Sequence, residues 1–261
     1  MNSVNKTLYI PLYGKAYVSR RGIVLNDKKA EEIWAAEGFA LRGKAKSKWL
    51  AYYMGMRAAV FDMWTAAQLQ QAEDDTVVIH IGCGMDSRAL RVNAPCRWYD
   101  VDFADVIAER QRYFAETDRY RMLCGDARQS DWLQHIPEHG RAIVVMEGVS
   151  MYLGTEAMRQ LLANLCVHFS HVSLLADFYT ELAAKLSRFK NPINTVGVTR
   201  VFGMDDPLQL QSDALHFAAE HEMTPQVFIS QLPKSEQRLF RKLYAGSFAA
   251  RLYRLYSYKT T

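Results

Sequence analysis

The sequence predicts an α/β fold built on a mostly parallel sheet, and three observations carry that reading. Strand and helix signals alternate from about residue 76 to 178. The apolar run Val77, Val78, Ile79, Ile81 ends in Gly82-Cys83-Gly84, a buried strand running into a tight turn where backbone can approach a ligand. Four expected strand ends then carry an acid: Asp102, Asp126, Glu147 and Asp177. Several acids along one sheet edge suggest a polar ligand lying across that edge.

The elements follow in order. Residues 1–72 read as a helical cap. Asn26 or Asp27 caps a helix through Ile33 and Trp34, and Ser47 opens a longer one to about Gln71. The apolar stripe of the longer helix includes Leu50, Tyr53, Val60, Phe61 and Trp64, and Arg57 falls on the same stripe. A cation on a buried face needs an anionic partner, either an internal acid such as Asp62 or Asp86 or the carboxylate of a ligand. Residues 73–178 form the sheet core, with strands expected over 76–81, 97–101, 121–124, 142–146 and 172–178. Helices are expected over 104–116 and over 155–169, the second entered through Gly154-Thr155. Residues 179–261 are less regular. The stretch 180–211, with Lys185, Arg188, Lys190 and Asn191-Pro192, is the candidate lid or substrate wall. Ser212 and Thr224-Pro225 look like helix starts, Ser235 caps a helix ending near Gly246, and 250–258 is a last strand in an antiparallel pair. The whole reads as one domain.

Composition narrows the class. The chain has 261 residues, 49% of them hydrophobic and 12% aromatic, enough to bury a sizeable core. A net charge of +4 without a long basic run does not call for nucleic acid. No apolar stretch of membrane-spanning length and no signal-peptide pattern is seen, so no membrane partner is expected. Cys83, Cys96, Cys124 and Cys166 show no C-x-x-C spacing and read as free thiols in a reducing cytoplasm. His80, inside the first strand, reads as a core histidine. His168 and His171 lack enough neighbouring ligands for a metal, so none is expected.

The ligand class follows from the turn. Asp102 lies twenty residues after Gly82, where an acid can take a pair of ribose hydroxyls. A dinucleotide site wants a third glycine, but Ser87 stands there, with Asp86 beside it. A carboxylate in that turn repels a diphosphate. It suits a cationic or zwitterionic nucleoside, and S-adenosyl-L-methionine carries a sulfonium and an ammonium.

Read together, Gly82-Cys83-Gly84-Met85-Asp86-Ser87-Arg88, Asp100-Val101-Asp102-Phe103, Gly125-Asp126-Ala127-Arg128 and Glu147-Gly148-Val149-Ser150-Met151-Tyr152-Leu153 resemble the leucine carboxyl methyltransferase family. The opening Ile10-Pro11-Leu12-Tyr13-Gly14-Lys15-Ala16 is similar to its bacterial branch of polyketide-type O-methyltransferases. The resemblance covers most of the chain to about residue 178 and is looser beyond. It implies a Rossmann-like class I methyltransferase, with a mostly parallel seven-stranded sheet, helices on both faces and S-adenosyl-L-methionine as cofactor. It further implies that Lys15 and Arg57 hold the methionine carboxylate, and that the Gly82–Gly84 turn admits the cofactor past Asp86. Asp102 would bind ribose, Asp126 and the Ala127 backbone adenine, and Glu147 the amino group. Ala127 departs from the family, where leucine is common, and should loosen the adenine wall. Tyr152 either packs or points its hydroxyl into the acceptor pocket.

The expected activity is O-methylation of a small-molecule carboxylate or phenol. A carboxylate is ionised at neutral pH and needs no general base, whereas a phenol benefits from one. No His-Asp arrangement stands out, which leans toward a carboxyl or an acidic hydroxyl. The rivals are methylation of a protein C-terminal carboxylate and a non-catalytic cofactor-binding protein, with a dinucleotide oxidoreductase third. Oligomeric state is not legible.

Overall fold

The computed structural model describes residues 5–37, 46–138, 140–190 and 201–261. Seven strands form one sheet in the order β3-β2-β1-β4-β5-β7-β6: β1 Val77–Ile81, β2 Arg97–Asp102, β3 Tyr120–Cys124, β4 Arg141–Met146, β5 His171–Tyr179, β6 Leu215–Glu220 and β7 Tyr253–Thr260. The first five are mutually parallel. β7 runs antiparallel to both β5 and β6, the expected antiparallel ending. The chain reverses direction across the sheet between β1 and β4, which opens a crevice at their carboxyl ends.

Helices cover both faces. α6 (Ser150–His168) buries Met158, Leu161, Leu162 and Leu165 against Ile79, Val144 and Leu174. On the other face α3 (Lys48–Leu69) buries Met56, Val60 and Phe61 with Val145, Leu175 and Leu255. Each fully buried side chain of this size stabilises the fold by ~1.5–3 kcal/mol. α6 is interrupted at Gly154 (φ 75°), so the regular helix begins at Thr155 as the sequence suggests. The remaining helices are α1 Asn5–Ser19, α2 Lys28–Glu37, α4 Arg88–Val92, α5 Ala104–Arg110, α7 Glu181–Lys190, α8 Gln226–Ile229, α9 Lys234–Phe240 and α10 Ser247–Ala250. None of the helices among the described residues is long and apolar enough to cross a membrane.

α1 lies in the expected helical cap although it contains Pro11 and Gly14. The glycine serves packing: a Cβ at Gly14 would stand 2.5 Å from Met54 Cβ, so its lack lets α1 lie directly on α3. Several expectations need correction. Ser212 starts no helix. Its hydroxyl accepts from the Leu215 amide at 3.2 Å, the local bond that a helix cap would make, but the chain enters β6 because β7 offers a pairing edge. α5 stops at Arg110, short of 116, and continues as turns to Phe114, while the Arg110 side chain reaches Asp100 and the Gly84 carbonyl. Within 180–211 the start is regular: the Thr180 hydroxyl accepts from the Ala183 amide and opens α7. Asn191-Pro192 and the rest of 191–200 lie outside the described residues, as do the side chains of Arg188 and Lys190. Asp27, not Asn26, caps α2, accepting from the Ala30 amide at 2.9 Å.

Candidate functional site

The acids named from the sequence gather at the carboxyl edge of the sheet. β1 turns at Gly82 (φ 67°), whose amide donates to the Val101 carbonyl at 2.7 Å. A Cβ there would meet Val149 Cγ2 at 2.2 Å, so only glycine lets the β1 and β4 loops close on one another. Asp102 ends β2. Its Oδ2 accepts from the Gly84 amide and its Oδ1 from the Phe103 amide, both at 2.8 Å. Each oxygen keeps a second lone pair for a ligand. Burial pushes this carboxyl up to about 6, against the two amide bonds. Phe103, which follows it, is 46% exposed, an aromatic face beside the acid.

A buried charge cluster stands next to this turn. Glu147, after β4, accepts from Arg57 Nε at 3.1 Å, pairs with Arg57 Nη2 at 3.0 Å, and is bound by Arg88. Arg57 Nη1 reaches Asp177 Oδ2 and the Tyr253 hydroxyl, each at 3.0 Å. Arg57 therefore pairs with Glu147 and Asp177, not with Asp62 or Asp86. Lys15, on α1, lies 3.1 Å from Asp86, which also meets Arg88 at 3.1 Å and Arg91 at 2.8 Å. Asp62 is shared by Arg88 and Arg91, and Asp27 also binds Arg91. Burial disfavours the charge on Glu147, yet Arg57, Lys15 and Arg88 hold it down at about 2. Asp86 is likewise held well below the usual range by Arg88, Arg91 and Lys15 despite its burial. Asp177 is pushed up by burial, with Arg57 opposing.

The remaining candidates sit apart from this cluster. Asp126 is bridged by the exposed Arg128 guanidinium, whose hydrogen bonds lower the carboxyl, and Ala127 packs at the core margin. Tyr152 is half-buried at the start of α6, and burial raises its hydroxyl. His80 is a buried core histidine beside Arg88 Nη1 at 3.1 Å, and burial lowers its pKa. Among the described residues no group of three or more His, Cys, Asp or Glu is placed to hold a metal. A small cavity under α6, lined by Met151, Met158, Phe178, Phe202 and Met204, holds no acid or base and lies outside the charged edge. Sequence reasoning missed Arg91, Tyr253 and the shared role of Asp62. Arg88 and Arg91, three apart on one short helix, were the available signal.

Comparison with known proteins places this geometry. The family model for leucine carboxyl methyltransferase matches residues 7–166. The chain is 29% identical over 238 residues to the tetracenomycin polyketide synthesis O-methyltransferase TcmP of Streptomyces glaucescens, covering 88% of this chain and 87% of that one. It is 25% identical over 235 residues to the S-adenosyl-L-methionine-dependent methyltransferase dpfgK of Gibberella zeae, covering 81% and 79%. In fold it is similar to magnesium protoporphyrin IX methyltransferase from Synechocystis with bound S-adenosylhomocysteine, with a TM-score of 0.54 at 12% identity over 90% of this chain and 95% of that one. A putative methyltransferase from Thermobifida fusca gives 0.53 at 11% identity, over 87% and 92%. With the sheet order, the Gly82 turn and the acidic edge in place, the family match over more than half the chain settles its membership: this protein belongs to the leucine carboxyl methyltransferase family of S-adenosyl-L-methionine-dependent methyltransferases.

Proposed function

We propose that the chain is an O-methyltransferase that uses S-adenosyl-L-methionine to methylate a small-molecule carboxylate or phenolic hydroxyl in natural-product synthesis. The observation that carries the reading is the charge balance at the carboxyl edge. Lys15, Arg57, Arg88 and Arg91 face Asp27, Asp62, Asp86, Glu147 and Asp177, and Asp102 adds a sixth carboxyl group beside the turn, so carboxyl groups outnumber cations at this edge. A ligand with a sulfonium, an ammonium and one carboxylate carries a net positive charge, the sign that an excess of carboxyl groups favours. Asp102, with a free lone pair on each oxygen, fits ribose hydroxyls. Glu147, held ionised beside that turn by Arg57, Lys15 and Arg88, fits the ammonium. Lys15 and Arg57 are the cations within reach of a carboxylate, and the Gly82–Gly84 backbone admits the ligand. Asp126 and Ala127, on the β3 side, would border the adenine. When bound, the cofactor supplies an activated methyl group, and the protein's part is alignment and exclusion of water.

The polyketide setting of the Streptomyces glaucescens relative supports a natural-product acceptor. All four cysteines are free thiols, which supports a reducing compartment such as the cytoplasm. We read residues 1–72 as the cap, 73–178 as the cofactor core and 179–261 as the acceptor side of one domain. The test is calorimetric titration with S-adenosyl-L-methionine, S-adenosylhomocysteine and a nicotinamide dinucleotide, followed by mass spectrometry for methylated products from a panel of aromatic acids and phenols. Both sulfur nucleosides are expected to bind and to raise the melting temperature. Binding of the dinucleotide alone overturns the reading. Tight cofactor binding without any methylated product favours a non-catalytic binder.

A further inference from the structure

Beyond Glu147 the sheet edge continues into β5 and β7, and tyrosines concentrate there. Tyr53 comes from α3, Tyr152 from the start of α6, Tyr179 from the end of β5, Tyr244 from the helical turn Arg241–Ala245 and Tyr253 from the start of β7. Five elements distant in sequence thus deliver one residue type to one corner. Four of the rings form a connected wall, and the Tyr152 hydroxyl feels Tyr179 electrostatically. Tyr53 lies 5.6 Å from Tyr244 and 6.4 Å from Tyr253 between centroids, and Tyr179 lies 5.0 Å from Tyr253. All five are half-buried.

The hydroxyls separate this wall from ordinary packing. A structural core uses tyrosine where its hydroxyl reaches a good partner. Tyr253 does so, donating to Asp177 Oδ2 at 2.8 Å and accepting from Arg57. Tyr53 finds only the Met223 thioether, a weak acceptor, at 3.0 Å. Among the described residues no hydrogen bond reaches the hydroxyl of Tyr152 or Tyr244. Three phenols in one corner therefore lack a strong protein partner, which leaves their hydroxyls free to bond a ligand.

Position supplies the second argument, and it rests on the cofactor reading above. From β3 through β2 and β1 to β4, the edge presents Asp126, Asp102, the Gly82 turn and Glu147. A cofactor laid along it, adenine to methionine, ends at β4, so the acceptor must stand at β5 and β7. The wall begins there: the Tyr253 hydroxyl touches Arg57, which touches Glu147.

We propose that Tyr53, Tyr152, Tyr179, Tyr244 and Tyr253 wall the acceptor subsite, and that the acceptor is a planar aromatic compound with polar edge substituents. Ring faces give it stacking area and the underused hydroxyls give it hydrogen bonds. An aliphatic acid or an extended peptide terminus would use neither.

The test is titration of the protein, saturated with S-adenosylhomocysteine, with naphthol, naphthoate and decanoate. At least one naphthalene probe is expected to bind about tenfold tighter than decanoate, and Tyr53→Leu to weaken it about tenfold. Tyr152→Phe, which preserves packing, is expected to weaken it severalfold at unchanged melting temperature. Decanoate binding as well as both planar probes overturns the proposal, as does planar binding indifferent to both substitutions. Failure of the cofactor reading shows separately, as no heat with S-adenosylhomocysteine alone. In that case the wall is tested by the same probes on the protein without nucleoside.

Discussion

Asp102 and Arg57 show how burial sets the behaviour of single residues at this edge. The Asp102 carboxyl stands at about 6, raised by burial above an ordinary value of 3.8. Between those values the folded protein holds a proton that the unfolded chain releases. Stability therefore falls as pH rises through the window, and the penalty is complete above it. Asp102→Asn removes the pH-dependent penalty but leaves one of the Gly84 and Phe103 amides without its acceptor. The difference in melting temperature between variant and parent is expected to move in the variant's favour as pH rises from about 4 to neutrality. Cofactor affinity should respond in the opposite sense, because ribose hydroxyls donate best to the ionised form. Binding measured by calorimetry at about pH 5 is expected to be roughly tenfold weaker than at neutrality in the parent, and flat in the asparagine variant. Equal pH dependence in both proteins would remove Asp102 from the binding role. Arg57 neutralises two buried carboxyl groups at once. Arg57→Ala is expected to cost ~3–5 kcal/mol in urea denaturation, since Glu147 and Asp177 lose their shared cation. Lysine restores only part, because one ammonium does not reproduce the fork. A loss below ~1 kcal/mol would show that the pairings contribute little.

At the level of elements, the β1 and β4 loops are joined through a position that tolerates no side chain. Gly82→Ala meets two obstacles: a positive φ, worth ~1–2 kcal/mol, and a Cβ 2.2 Å from Val149 Cγ2. Val149→Ala removes the second obstacle only. In a double-mutant cycle the pair is expected to be less destabilised than the sum of the singles by at least ~1 kcal/mol, with the φ cost remaining. Strict additivity by urea denaturation would show that the loops separate to absorb the clash. β6 teaches a related lesson. Its Ser212 bond is local and serves a helix or a strand equally, so the partner strand β7 decides the outcome.

For the whole molecule, the excess of carboxyl groups at the site is expected to discriminate between charged and neutral ligands. S-adenosyl-L-methionine loses its sulfonium charge on giving up the methyl, so the edge is expected to bind it more tightly than S-adenosylhomocysteine. Asp62 is bonded to Arg88 and Arg91 and has no proposed ligand contact, yet it belongs to the same charge balance. At an effective dielectric near 20, a unit charge about 10 Å away is worth ~1.7 kcal/mol. Asp62→Asn is therefore expected to lower the preference for the charged cofactor by about tenfold, read from paired calorimetric titrations. An unchanged preference would show that contact groups alone set it.

The sequence by itself determined β1 and its glycine turn, the acid at the end of β2, the long helix carrying Arg57 and the family. All of these rest on short-range pattern: apolar runs, helical periodicity and motif spacing. Tertiary structure decided the rest. Glu147 and Asp177, 90 and 120 residues from Arg57, become its partners only because β4 and β5 lie side by side under α3. α1 carries a proline and a glycine that local propensity disfavours, and the glycine is where it lies on α3. The tyrosine corner exists only where five separated segments converge. Local propensity cannot encode such contacts, because each depends on strand order and register that form when the whole core packs.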